Sequence, residues 1–409
     1  VYGAKDATLV MTRNNADFSA FGQTTNEKAV GAALNGSVKA SMDDALADKL
    51  NLLYLLGPGQ EEALRTMGGS TYASLSTVML ADNRSMDLLL AQGAGSTTAP
   101  FNGRFGTPAA PAPVKATSSK KKAGAPKPGR EPIDLWVQGI FGSSALTGDG
   151  NAEGYTGSRS GFMFGGDGPL LKGFTTGLAI GTNHASLAST SADPAKTEVD
   201  SMQLGLYGGR QKGAWDFSGA LQFATDKYQS KRTIVIGSDV SQATSSFGGG
   251  ALSAGFKASY AFPLKQLTLS PLAGLQYSSL SVDAFTEKGA DTLNLDVAAQ
   301  SYSSIRPMAG LALSRIFKIG RRATLNSDFS ATLSQELSDL SPQAQASLAG
   351  DPGSHFTVKG VKPDATQFAL GAGLGYLLGK SFNVSLNYSG TLGAAQSQHG
   401  VGLGAGYSF

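Results

Sequence analysis

The tightest constraint on this chain is its last nine residues, Val401-Gly-Leu-Gly-Ala-Gly-Tyr-Ser-Phe409. Large apolar residues stand at Val401, Leu403, Tyr407 and Phe409, with Ala405 between them, and every intervening residue is Gly or Ser. A strict period of two is a β-strand with one apolar face. The opposite face carries almost no side chains, and the chain stops on an aromatic. That combination suits a wall with lipid on one side and a filled or wet lumen on the other. The competing reading is an edge strand of a soluble sandwich.

Composition weighs against the sandwich. Charged residues make up 15% of the 409, well under the usual quarter, and Gly supplies 54, near twice its usual share. No apolar run approaches the ~18–20 residues of a membrane helix. A mean hydropathy of −0.08 is what alternating lipid-facing and lumen-facing positions average to. The net charge of +3 is too slight to argue for nucleic acid. Cysteine is absent, which excludes disulfides, thiol nucleophiles and Cys-based metal sites. The chain starts at Val1 without a visible signal peptide, so it is read as a processed or truncated piece.

Four regions are expected. Residues 1–22 are mixed and read as the end of a domain upstream, with one strand at 7–11. Residues 23–92 change to helical periodicity. Thr24-Thr-Asn-Glu27 is a capping box ahead of Ala29, Val30, Ala33 and Leu34. Ser41-Met-Asp-Asp44 opens a second helix through Leu46, Leu50 and Leu53; Gly57-Pro58-Gly59 breaks the chain. A short helix follows over 61–67, and Ser70 or Thr71 starts a longer one through Leu75, Val78 and Met79. These apolar positions read as the core of a small bundle. Residues 93–132 form a linker with Pro100, Pro108, Pro111, Pro113, Pro126, Pro128 and Pro132, and with Lys115, Lys120, Lys121, Lys122, Lys127 and Arg130. Proline at that density favours an extended chain, and some forty residues at ~3.1–3.3 Å each reach over ~100 Å. The lysine run, without interleaved aromatics, reads as solvated linker.

From Ile133 to Phe409 the chain is all β, with about twelve strands carrying apolar residues on one face, as at Leu178/Ile180, Met202/Leu204/Leu206 and Phe382/Val384/Leu386. The other faces hold Gln203, Asp216, Gln222, Asn326, Asp328, Asn383 and Asn387. The connections alternate. Short ones fall near 166–173, 209–213, 263–266, 318–321 and 379–380; long ones near 143–152, 187–195, 229–244, 283–293, 335–366 and 390–398. Outer-membrane barrels have this asymmetry, with tight periplasmic turns and longer outside loops. An even strand count then puts both ends of the barrel in the periplasm. The fold expected is mainly β: a twelve-stranded transmembrane antiparallel barrel with a small N-terminal α-helical region and an extended linker through the lumen. If the helices are outside the cell the linker must thread the lumen; if they stay in the periplasm it need not, and barrel physics alone does not choose.

Residues 133–409 resemble the β-domain of classical autotransporters, the monomeric type V secretion family. The matching pieces are Leu135-Trp-Val-Gln-Gly-Ile-Phe-Gly142, Gly161-Phe-Met-Phe-Gly-Gly-Asp167, Gly205-Leu-Tyr-Gly-Gly209, Arg306-Pro-Met-Ala-Gly310, Gly371-Ala-Gly-Leu-Gly-Tyr376 and the aromatic end. Upstream, Thr25-Asn-Glu-Lys-Ala-Val30 and Met67-Gly-Gly-Ser-Thr-Tyr-Ala-Ser74 resemble the helical region often preceding such barrels. The resemblance implies a monomeric translocator in the outer membrane of a Gram-negative bacterium, with its N-terminal part at the cell surface and its own passenger upstream. It implies partners in outer-membrane lipid, periplasmic chaperones and the barrel-assembly machinery, which reads Val401, Leu403, Tyr407 and Phe409. A segment joining passenger to barrel would remain in the pore. The family often has a helix directly before strand one, where this chain is rich in proline. Either the pore segment is extended, the version favoured here, or the helix ending near Gln92 enters the pore.

No catalytic, metal or cofactor constellation is present in the sequence. His184, His355 and His399 are widely separated, and no metal-ligand spacing or Gly-x-Ser-x-Gly elbow occurs. Arg159, Asp167, Arg306 and Asp328 are the candidate lumen contacts for a threaded linker, or else they pair with one another across the lumen. The reading is a non-enzymatic translocator; the alternative is a porin or channel with a periplasmic helical domain.

Overall fold

The computed structural model describes residues 17–37, 43–93, 133–171, 174–192, 194–379 and 381–409, and of 37, 82–93 and 170–171 the backbone alone. The expected strand at 7–11 and the linker 94–132 lie outside the described residues. Four helices come first: α1 (Thr25–Ser37), α2 (Asp44–Leu53), α3 (Gln60–Gly68) and α4 (Ser70–Gly93). The capping box at α1 forms as its residues dictate. Glu27 accepts from the Thr24 backbone N–H at 2.9 Å, and the Glu27 N–H donates to Thr24 Oγ1 at 3.2 Å. At α2 the cap is Asp43, within the expected start signal; its side chain accepts from the Ala45 N–H at 2.8 Å.

The strands are β1 (Asp134–Leu146), β2 (Tyr155–Leu171), β3 (Phe174–Ser189), β4 (Lys196–Lys212), β5 (Trp215–Ile236), β6 (Asp239–Tyr260), β7 (Phe262–Leu264), β8 (Leu267–Val282), β9 (Phe285–Thr286), β10 (Leu295–Val297), β11 (Gln300–Ile319), β12 (Ala323–Gln335), β13 (Gln343–Leu348), β14 (Asp351–Lys359), β15 (Thr366–Leu378), β16 (Phe382–Leu392) and β17 (Gln396–Ser408). Twelve of them close an antiparallel barrel in the order β1-β2-β3-β4-β5-β6-β8-β11-β12-β15-β16-β17, with β17 returning to β1; β7 is a stub on β8. A closed barrel leaves no unpaired edge to face lipid.

Alternation sorts the wall. Leu178, Ile180, Leu204, Leu206, Phe223 and Leu386 point outward, while Gln203, Gln222, Asn383 and Asn387 are buried on the inner side. The terminal strand now has a physical reason for its glycines. Val401, Leu403 and Tyr407 face out, 40 to 53% exposed. On the inner side a Cβ at Gly402 would run into Gln138 and one at Gly406 into Asn383, so the polar lumen side chains of neighbouring strands occupy that space.

One rim carries the short turns, where Gly213 (φ 62°) and Gly320 (φ 64°) adopt the left-handed conformation a tight turn needs. The other rim differs from the expectation of long irregular loops. Residues 229–244 are not a loop: β5 and β6 continue through them to a turn at 237–238, so this hairpin rises beyond its neighbours. Residues 283–297 and 343–359 contribute β9, β10, β13 and β14, a second sheet ordered β14-β13-β10-β9 above the barrel. The helices do not form a bundle with a core of their own. Phe18, Val30, Leu46, Leu50, Leu64, Met67 and Tyr72 share one apolar cluster with Ile234 and Ile236 of the hairpin and with Leu295, Ala346, Phe356 and Val358 of the second sheet. The apolar stripes of α1 to α4 are core positions, as expected, in a core built jointly with the long-loop rim.

Candidate functional site

The mouth of the barrel at the long-loop rim is where the chain concentrates its polar chemistry. Gly69, at φ 63°, ends α3 and redirects the backbone into α4, with Leu295 packed against the spot where a side chain would begin. Directly below, Arg232 of β5 meets Glu287 in a two-pronged pair: Nε to Oε1 at 2.6 Å and Nη2 to Oε2 at 2.6 Å. The pair is nearly fully buried, with side chains 4% and 0% exposed. A buried pair is tolerable only if its remaining positions are satisfied, and here they are. Glu287 also accepts from the Tyr72 hydroxyl at 2.6 Å and from the Leu295 N–H at 2.8 Å, and Arg232 donates to the Thr66 carbonyl. Burial alone would push the Arg232 guanidinium down; Glu287 beside it reverses this and holds it above its ordinary value. Burial, and then Glu287, push the Tyr72 hydroxyl up, so it keeps its proton and donates.

Tyr72 is held by its ring as well. It meets Phe285 at 4.9 Å, and Phe285 stacks on Phe247 at 4.0 Å, which stacks on Tyr228 at 4.9 Å. Further along α4 the helix is tied to the rim by its small polar residues. Tyr155 donates to the Thr71 carbonyl at 2.8 Å, Thr77 donates to the Val361 carbonyl at 2.9 Å, and the Val361 N–H donates to Ser74 Oγ at 3.2 Å. A Cβ at Gly360 would overlap the backbone of Ala73 and Ser74, so only glycine allows this approach. On the outer side, Asn26 of α1 bonds Asn151 and both backbone groups of Lys359; Arg65 pairs with Glu153; Lys49 pairs with Asp239 at 2.8 Å.

The sequence candidates lie in the barrel wall, facing inward, at four separate places. Arg159 is buried against Gly142 of β1 and Gly400 of β17. Asp167, toward the short-turn rim, accepts from Tyr207 at 2.9 Å, and Tyr207 in turn accepts from Trp136 Nε1–H at 2.6 Å. Arg306, toward the long-loop rim, donates to Glu336 at 2.9 Å and to the Asp364 carbonyl, so it ties together the two roots of the 335–366 excursion. Asp328, toward the short-turn rim, lies over Gly373 and within electrostatic reach of Lys257, which also feels Asp216. Among the described residues, Arg306 and Asp328 contact none of the other three.

Arg232, Glu287, Tyr72 and Asn26 are not among the sequence's candidate site residues, although Asn26 and Tyr72 fall within the helical motifs. A signal existed for one of them. Asp226, Tyr228, Ser230, Arg232, Ile234 and Ile236 continue the inward phase of β5 without a break, which is a strand running on past position 229. Nothing local pairs Arg232 with Glu287, 55 residues away. Among the described residues no cluster of metal-binding side chains occurs, and no helix is long and apolar enough to cross a membrane.

Comparison with known proteins agrees with this architecture. The translocator domain of autotransporter NalP from Neisseria meningitidis superposes with a TM-score of 0.59 at 19% identity, over 83% of this chain and 99% of that one. Esterase EstA of Pseudomonas aeruginosa is 28% identical over 141 residues, 34% of this chain and 21% of the relative, and EstA of Pseudomonas putida matches equally. The chain therefore spans about a fifth of the length of the curated relatives it matches. Residues 135–389 match the model of the autotransporter beta-domain. That stretch runs from the second residue of β1 into β16 and covers more than half of the chain, and on that ground the protein belongs to the autotransporter β-domain family, as an outer-membrane translocator.

Proposed function

We propose that the barrel carries a passenger attached upstream of residue 17 to the cell surface and then holds it there, with the helices α1 to α3 outside the cell and residues 94–132 returning through the bore to β1. One observation carries this reading. Ser70 sits at the long-loop rim and Asp134 at the short-turn rim, so the chain between them spans the height of the barrel. A path outside the wall would put unpaired backbone groups into lipid at several kcal/mol each; the bore is the remaining route. The same packing speaks against a porin with a periplasmic helical domain, since the helices lie on the rim opposite the short turns. Arg159, Asp167, Arg306 and Asp328 remain proposed lumen contacts for the returning chain, whose own charges are Lys115, Lys120, Lys121, Lys122, Lys127 and Arg130. The assembly machinery and periplasmic chaperones are its proposed partners, the outward Val401, Leu403, Tyr407 and Phe409 its assembly signal, and the monomer its working form. The work of this part is passage and anchoring; esterase activity belongs to EstA by its name, and any catalysis here would lie in the passenger.

Protease shaving of intact cells tests the reading. A tag placed before Asp17 is lost from whole cells while a barrel epitope persists. Protection of that tag until the outer membrane is broken overturns the orientation.

A further inference from the structure

A polar groove of about 650 Å³ opens on the flank of the barrel at the long-loop rim, between β11 and the second sheet. Its height is fixed by β11 itself. The outward positions of that strand are apolar at Phe317, Leu313, Leu311 and Ile305, and change to hydroxyls at Ser303 and Ser301. The groove begins at that change, where contact with hydrocarbon ends and headgroups begin. Ser301 and Ser303 form one wall, and Gln343, Gln345 and Thr357 face them from the second sheet. Among the described residues the side chains of these five have no hydrogen-bond partner in the protein.

The floor is built. Tyr302 Oη accepts from the Gln343 N–H at 3.1 Å and lies 2.6 Å from the Gln343 carbonyl and 2.9 Å from Gln300 Oε1. Gln300 in turn accepts from Ser76 of α4 at 3.3 Å, so the mouth holds the floor in place. Among the described lining residues the one charge is Asp339, paired with Lys362 at 3.4 Å. Among the described residues no lysine or arginine lines the groove, and the lysine beside it, Lys362, is paired with Asp339. Neutral amides and hydroxyls on two facing walls, each able to donate and to accept, match a ligand whose groups do the same.

We infer that this groove binds a saccharide: a short, uncharged, hydroxyl-rich segment, either linked to outer-leaflet lipid or free at the surface. The inference rests on the reading that the long-loop rim faces outward. Its test does not depend on orientation in the cell, so the two fail separately. The full chain in detergent micelles is titrated with a neutral O-chain oligosaccharide free of core sugars, and in parallel with whole lipopolysaccharide bearing that O-chain, and saturation transfer to the sugar protons is read. Transfer to both shows that the saccharide suffices; transfer from lipopolysaccharide alone shows that its lipid link is needed, and either supports the site provided the groove variants weaken it. Gln345→Leu combined with Thr357→Val is expected to weaken binding at least tenfold. Asp339→Asn, a milder change in case that pair disturbs folding, is expected to weaken it several-fold. Gln229→Leu, on the outward face of β5, leaves it unchanged. Absence of transfer to both probes, or equal transfer in the groove variants, overturns the proposal.

Discussion

The two halves of this barrel solve the same problem in opposite ways. Both have an inner face lined with polar side chains. At the long-loop rim the polar side chains are consumed: Arg232 and Tyr155 of the wall, Glu287 beside the second sheet, and Tyr72, Thr77 and Asn26 of the helices each bond a named group. Toward the short-turn rim, apart from the chain Trp136–Tyr207–Asp167, many are left over. Both carboxylate oxygens of Asp216, the Gln222 carbonyl oxygen, both amide atoms of Asn326 and Oδ1 of Asp328 have no hydrogen-bond partner among the described residues. Groups of this kind require water or a chain in the bore. The upper half is therefore a protein interior that happens to lie inside a barrel, and the lower half is a channel wall. Solidity is needed at one end alone, where α3 turns into α4.

The comparison is sharpened most by removing one partner of the buried pair. Arg232→Ala leaves Glu287 without its counter-ion, at a cost of ~3–5 kcal/mol. Hydrogen exchange should show α3, α4 and the second sheet losing protection, while the lower parts of β1 to β5 keep theirs. Uniform loss throughout the barrel would mean that the two halves are one cooperative unit. A smaller effect is expected from Tyr72→Phe, which keeps the stacked ring and deletes the hydroxyl that donates to Glu287. About 1–3 kcal/mol of cap stability should go, seen as faster protease cleavage near α4 at unchanged barrel migration on a gel. Smallest is Asp216→Asn in the lower bore, expected to change folding stability by about 1 kcal/mol or less, because that carboxylate accepts no hydrogen bond in the wall and acts on Lys257 only through space. A large loss in a urea titration would show that the lower bore is a packed interior after all.

Much of this was legible in the chain, and for identifiable reasons. Alternation in the wall is enforced residue by residue, because lipid and lumen make opposite demands on successive side chains; Leu178 and Ile180, or Asn383 and Val384, declare their faces without help from a partner. The α1 cap was legible because Thr24 and Glu27 satisfy each other locally. What could not be read depends on pairs far apart in sequence. Val358 and Val361 become core and rim contacts only because α1 and α4 lie against them. Residues 283–297 and 343–359 looked like loops, since strands as short as Phe285–Thr286 and Leu295–Val297 are too brief to show a period. The hairpin at 229–244 was missed for another reason. Lys227, Gln229 and Lys231 take the outward positions, so the outward face stops being apolar there although the inward phase runs on through Arg232.

The joint core has a practical meaning for anyone who would use this scaffold to display a foreign polypeptide. A transplant boundary drawn at the Pro-rich stretch, where the sequence suggests a clean seam, would strip Tyr72, Phe18 and Leu46 from a cluster most of which stays behind on the rim. Grafts should be joined upstream of Asp17, so that the recipient keeps its own stopper.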